Sequence, residues 1–114
     1  MSPRNWQERI DDILDAVDEV ERFVDGMSFE QFAQDTKTIY AVSFAIATIG
    51  EAAGDIGPDI KLRHPDVPWG QMQAMRNVVI HQYFRIELTI LWDTATANLP
   101  TLIEPLRRLR EAES

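Results

Sequence analysis

Residues 38–56 read TIYAVSFAIATIGEAAGDI and carry a helical repeat along their whole length. The apolar residues recur at alternating spacings of three and four, which places them on one face of an α-helix. These residues are Ile39, Val42, Ile46, Ile49, Ala53 and Ile56. Many of the remaining residues have small side chains, among them Gly50 and several alanines, so another helix could approach closely on a second side of this helix. The pattern predicts a long central helix with room for a dimer partner on its small-residue side.

The segment before the central helix contains two further helix signals. From Trp6 to Val24 the apolar residues advance in steps of three and four while acidic residues occupy the other side, which predicts an amphipathic helix with a solvated acidic face. Gly26 is expected to end this helix. Ser28 is a suitable N-terminal cap for a short helix through about Ala33, because a serine oxygen can accept an otherwise unpaired amide.

Proline residues divide the second half of the chain. Pro58 closes the central helix, and the stretch through Pro68 is expected to be a loop with at most one helical turn, because proline removes amide donors. A fourth helix is expected to start near Trp69. The apolar repeat from Ile86 onward predicts a long final helix that Pro100 kinks. No strand-like alternation is found, so the fold class is all-α and the architecture a helical bundle.

Size and composition favour one folded domain spanning residues 1–114. The chain has 45% apolar and 26% charged residues, which is ordinary globular usage. It has no cysteine, which excludes disulfides and thiolate metal sites. Neither a secretory signal nor an apolar run of about 18 residues is present, so no membrane association and a cytoplasmic location are expected.

The net charge of −8 is unevenly distributed. Residues 1–60 hold 13 of the 19 acidic residues and only 4 of the 11 lysines and arginines. This balance counts against a broad basic surface for nonspecific nucleic-acid binding. The locally basic stretch, where an anionic ligand is to be sought, comprises Arg63, His64, Arg76, His81 and Arg85.

The residues best suited to chemistry lie at the end of the fourth helix. An ideal helix places Asn77 one turn before His81 on the same side, whereas Arg76 is offset around the axis but has a long side chain. Histidine exchanges protons near neutral pH, and arginine binds a phosphate with two hydrogen bonds. The set is suited to phosphodiester cleavage without a metal or cofactor. The spacing alone is also compatible with a structural histidine.

A family resemblance adds to this interpretation. Residues 75–84, MRNVVIHQYF, resemble the R-x4-H-x-Y signature of HepT-like proteins of the HEPN superfamily. Family-like blocks occur in order over essentially the whole chain, at residues 49–53, 65–69, 86–93 and 99–102. One departure is Gln82, where glycine is common in the family.

The resemblance implies a four- to five-helix bundle of HEPN type that forms a homodimer, with two Arg/His motifs facing a shared cleft. It further implies a toxin that cleaves RNA as a metal-independent endoribonuclease. His81 would act as general base or acid, Arg76 would bind the scissile phosphate, and Asn77 would position His81 or the ribose. The implied partner is an MNT-type nucleotidyltransferase antitoxin that adenylylates Tyr83. Whether a higher oligomer forms with the antitoxin is left open.

Several alternatives remain at this point. Arg76 could instead pair with a carboxylate of a neighbouring helix. Glu51, midway along the central helix, is either a partner that orients Arg76 or His81, or a solvated side chain. Trp69, Trp92 and Phe84 are expected to be core anchors more than base-stacking platforms. The competing function is that of a noncatalytic helical adaptor, which would bind a nucleotidyltransferase or another protein through the acidic first helix and the motif face.

Overall fold

The computed structural model describes residues 5–82 and 88–113, with only the backbone described for 77–82. This part of the chain is helical and contains no strand, which confirms the all-α fold class. The elements are α1 (Trp6–Val24), α2 (Phe29–Ala33), α3 (Thr36–Gly54), α4 (Pro58–Arg63), α5 (Trp69–Gln82), α6 (Leu88–Asp93), a π-helical turn (Thr94–Asn98), a 3-10 turn (Leu99–Leu102) and α7 (Ile103–Ala112).

Local capping defines the first two helices. The Asn5 side chain accepts a hydrogen bond from the amide of Glu8 at 2.8 Å and begins α1. Gly26 follows the helix with a φ of +75°, a left-handed conformation that glycine adopts without strain. Ser28 and Gln31 then form a reciprocal capping box at the start of α2. The predicted end of α1 and the predicted cap of α2 are both confirmed.

The central helix α3 packs against α1 and α5. Its predicted stripe is buried except at Ile39, which is partly buried, and Val42, Ile49 and Ala53 are fully inaccessible to solvent. At Gly50 the close neighbour is α5 of the same chain, because a Cβ added there would lie 2.8 Å from the Cβ of Arg76. Another helix does approach closely on the small-residue side, as predicted, but at this position it is α5 of the same chain and not a dimer partner. A helix of the chain itself fills the space.

The connection between α3 and α5 is more helical than expected. Residues 58–63 form the six-residue helix α4, whereas the sequence predicted at most one turn. Pro58 occupies the first turn of α4, where its missing amide has no intrahelical partner in any case. Helix α5 then begins at Trp69, as predicted, and the Trp69 indole donates a hydrogen bond to the His64 carbonyl at 3.0 Å.

Around Pro100 the α-helical hydrogen-bond pattern is interrupted. The amide of Leu99 donates to the carbonyl of Thr94, five residues earlier, and the amide of Ile103 donates to that of Pro100, three residues earlier. Because proline has no amide to donate, a π-helical turn and a 3-10 turn separate α6 from α7. Leu99, Leu102, Leu106 and Leu109 remain buried through this change.

The core is assembled from every long helix. Two tryptophans anchor it, as predicted. Trp69 is buried, and the Trp92 ring lies 5.1 Å from that of buried Phe32 and 6.2 Å from that of Phe29, centroid to centroid. Phe84 falls outside the described residues. No helix of the described part is both long and apolar enough to cross a membrane.

Candidate active site on helix α5

Helix α5 carries all three predicted catalytic residues on one continuous element. Arg76, Asn77 and His81 all lie within Trp69–Gln82. The helical register keeps Asn77 and His81 one turn apart on the same face, as expected. The side chains of these two residues, and the whole of Tyr83, lie outside the described residues. Their predicted roles therefore remain predictions.

Arg76 is exposed, and its position is set by contact with α3. No carboxylate among the described residues lies within ion-pair distance of its guanidinium. Five other arginines do pair with carboxylates, namely Arg9, Arg22, Arg63, Arg108 and Arg110. The alternative that Arg76 pairs with a neighbouring helix thus finds no partner in the described part. As far as the described residues are concerned, its guanidinium is available to an external anion.

Gly50 supports this site and was not identified as a site residue from the sequence. A Cβ at position 50 would lie 2.8 Å from both the backbone nitrogen and the Cβ of Arg76. The absent side chain lets the backbone of α5 lie directly on α3, which fixes the point from which the arginine side chain extends. The small residues of α3 indicated that another helix could approach closely here, but they did not indicate which helix it would be.

Glu51 follows Gly50 and is exposed. It makes no ion pair with Arg76. With respect to Arg76, Glu51 is therefore a solvated side chain and not a partner that orients the arginine. A contact with the His81 side chain falls outside the described residues.

Arg63 and His64, predicted as part of a basic stretch with Arg76, are instead bound to the end of α7. Arg63 donates two hydrogen bonds of 3.0 Å to the Glu113 carboxylate, and the His64 Nε2 lies 2.8 Å from the same group. Hydrogen bonds from Arg63 and His64 lower the pKa of Glu113 to about 2. These two residues link the end of α4 to the residue after α7, and the charge of Arg63 is paired with that of Glu113.

Within the described residues, no cluster of three or more His, Asp or Glu side chains is arranged to hold a metal ion. The chemistry available on α5 is that of an exposed guanidinium on the helix that also carries a histidine and an asparagine. Such a set can bind a phosphate and transfer protons.

Comparison with known proteins identifies the family. The family model described as "Ribonuclease HepT-like" matches residues 13–109, which is most of the chain. The chain belongs to the HepT-like ribonuclease family. The resemblance inferred from residues 75–84 is confirmed at the family level, and the prediction of an enzyme family is confirmed with it.

Relatives of this HepT-like chain cover nearly its whole length. "Probable ribonuclease HepT" of Thermococcus cleftensis is 37% identical over 108 residues, which is 95% of this chain and 98% of the relative. "Putative RNase MJ1380" of Methanocaldococcus jannaschii is 33% identical, with 90% and 94% of the two chains covered. A third relative, "Putative RNase TTE0752" of Caldanaerobacter subterraneus, is 31% identical with 79% and 80% covered. No solved structure matches the chain.

Proposed function

We propose that this HepT-like chain is a metal-independent endoribonuclease that acts as the toxin of a toxin–antitoxin pair in the cytoplasm. The observation that carries the proposal is the exposed Arg76, free of described carboxylate partners, on the same helix as His81. Family membership supplies the reaction class, since relatives of similar length are named as ribonucleases.

The proposed reaction is transfer of the phosphate to the neighbouring 2′-hydroxyl of the RNA. The His81 imidazole takes the proton of the 2′-hydroxyl, and the 2′-oxygen attacks the phosphorus. The bond to the 5′-oxygen breaks, and that oxygen takes a proton from a protonated imidazole. The products are a 2′,3′-cyclic phosphate and a 5′-hydroxyl. Arg76 binds the phosphate while negative charge develops on it, and Asn77 positions His81 or the ribose.

A homodimer is part of the proposal, because a second copy at a shared cleft would supply the second imidazole. Support for an interface comes from the outer face of α3. Phe44 is 77% exposed and Tyr40, one turn earlier, is 55% exposed. Neighbouring exposed aromatic side chains of this size commonly mark surfaces that another protein covers. The interface is proposed on this face, since α5 already covers Gly50.

One observation favours the second candidate function, a noncatalytic adaptor. A groove of about 360 Å³ between α1 and α3 exposes Phe44 beside Asp12, Asp15 and Glu19. A groove lined by both apolar and acidic side chains is suited to a protein partner that has a basic surface. In this alternative the partner is the nucleotidyltransferase or another protein, and Arg76 carries no catalytic role.

A cleavage assay separates the two functions. Purified wild-type protein is incubated with a single-stranded RNA pool in EDTA, and the new ends are analysed for cyclic phosphate. The ribonuclease proposal requires cleavage that persists in EDTA and that is lost in the Arg76 and His81 variants described in the Discussion. An adaptor leaves the RNA intact.

Regulation by an MNT-type nucleotidyltransferase completes the proposal. The enzyme would transfer AMP to the Tyr83 hydroxyl, forming a phosphodiester and releasing pyrophosphate from ATP. A tethered phosphate next to the Arg/His motif would compete with RNA at a high effective concentration. The support is family membership together with the Arg-x4-His-x-Tyr spacing of Arg76, His81 and Tyr83.

A further inference from the structure

A second cavity lies between α3, α5, α6 and the π-helical turn that follows α6. Its volume is about 320 Å³. The apolar part of its wall comes from Ile46, Met75 and Leu91, and the polar part from Gln71, Thr94 and Asn98. The cavity is distinct from the acidic groove on the α1 side of α3.

This cavity adjoins the candidate active site. Met75 precedes Arg76, and Ile46 lies one helical turn before Gly50, the contact point of Arg76 on α3. Ala74, which also lines the cavity, shares a face of α5 with position 81, because seven residues complete close to two turns. At about 1.5 Å per residue, positions 74 and 81 are about 10 Å apart along the helix axis. That separation is comparable to one or two nucleotides of single-stranded RNA.

The polar groups of the cavity wall are able to recognise a nucleobase by hydrogen bonds. The carboxamides of Gln71 and Asn98 each offer donors and an acceptor, and neither is hydrogen-bonded to a described residue. The Thr94 hydroxyl donates to the Ile90 carbonyl at 2.8 Å, so its lone pairs remain to accept. Met75 and Leu91 supply apolar surface against which the faces of a base can pack.

We propose that this cavity binds one unstacked base of the RNA substrate, preferentially adenine because of the two carboxamides in its wall, and thereby selects where the chain is cut. Sequence-specific RNA recognition usually targets bases of single-stranded segments by their edges, and amide side chains pair well with adenine. This inference rests on the proposed ribonuclease function. It adds to that function a set of base-binding residues that is separate from Arg76 and His81.

The test uses binding and cleavage together, so that the two proposals fail separately. Adenosine 3′-monophosphate, cytidine 3′-monophosphate and ribose 5-phosphate are titrated into wild-type protein by calorimetry, and cleavage sites are mapped on an RNA pool. The expected result is binding of the adenine nucleotide in preference to the other two. Ala74→Phe, which fills the cavity from an exposed position, should weaken that binding by about tenfold or more.

Gln71→Ala and Asn98→Ala should flatten the base preference at the cleaved position, whereas Gln73→Ala, on the same helix but outside the cavity, should preserve it. The cavity proposal is refuted if the wild type cleaves RNA and Ala74→Phe binds the nucleotides equally well and cuts at the same sites. The ribonuclease function would still stand in that case. Absence of any cleavage refutes the function, and the titrations then still decide whether the cavity takes adenine.

Discussion

The backbone nitrogen of Arg76 lies 2.8 Å from the position that a Cβ on Gly50 would occupy. Two helices thus meet at a point where only glycine fits, and the exposed arginine of the candidate site is the residue at that point. The contact links the packing of α3 to the placement of the proposed phosphate-binding group.

Gly50→Ala should therefore displace α5 and reduce both stability and activity. Alanine is better than glycine in a helix by about 1 kcal/mol, but the overlap is with backbone and Cβ atoms that cannot rotate away. A net loss of about 1–3 kcal/mol in the free energy of unfolding is expected, measured by urea denaturation. Gly54→Ala is the matched control, because its nearest neighbour is the flexible end of Gln73 at 3.5 Å. Equal stability of the two variants would contradict the close-contact argument.

Arg76→Ala and His81→Ala should each abolish RNA cleavage, with a loss of at least about a hundredfold, while the melting temperature changes little. The Arg76 side chain is exposed and makes no ion pair with a described carboxylate, so its removal disturbs no such contact. Arg107→Ala is the control, since Arg107 is likewise exposed and outside any described ion pair. If Arg107→Ala lowers cleavage as much as Arg76→Ala does, the effect is one of overall charge.

Phe44→Glu should convert a homodimer into a monomer. The substitution places a carboxylate on the exposed aromatic face, beside the acidic side chains of the α1–α3 groove. Light scattering at micromolar concentration measures the change. Leu62→Glu is the matched control, because Leu62 on α4 is 80% exposed and lies outside this face. A wild-type monomer, or a dimer that survives Phe44→Glu, refutes the proposed interface.

Tyr83→Phe should retain most cleavage but escape neutralisation by the nucleotidyltransferase. The hydroxyl has no acid or base role in the proposed reaction, whereas it is the only part of the side chain that can accept AMP. Intact-mass spectrometry after co-expression with the nucleotidyltransferase is the measurement. The tyrosine switch fails if the wild type gains no AMP, or if Tyr83→Phe gains as much.

Glu113→Gln should lower stability at neutral pH and have progressively less effect in acid. The pKa of Glu113 is lowered to about 2 by hydrogen bonds from Arg63 and His64, so folding favours the ionised carboxylate. The resulting stabilisation is full above the ordinary carboxyl pKa of about 4.5 and is lost as the pH falls toward 2. The melting temperatures of wild type and variant should therefore converge between those values. Glu21→Gln, at an exposed position of α1, should show no such convergence.

Features that depend on residues three or four positions apart were predictable from the sequence. The stripe of α3, the glycine turn at Gly26 and the capping box of Ser28 and Gln31 all arise within one or two helical turns. Their hydrogen bonds and periodicity are local, so a linear pattern contains the necessary information. The spacing of Arg76, Asn77 and His81 is of the same kind, since all three lie on the single helix α5.

The tertiary structure alone decided which distant residues meet. Gly50 could have received a second copy of the chain, but α5 fills the space. Arg63 and His64 could have joined Arg76, but they bind Glu113, about fifty positions further along the chain. Such pairings depend on the crossing of helices and on competition among several possible carboxylates. The sequence of each helix specifies the faces that are available, and the packing of the whole core selects between them.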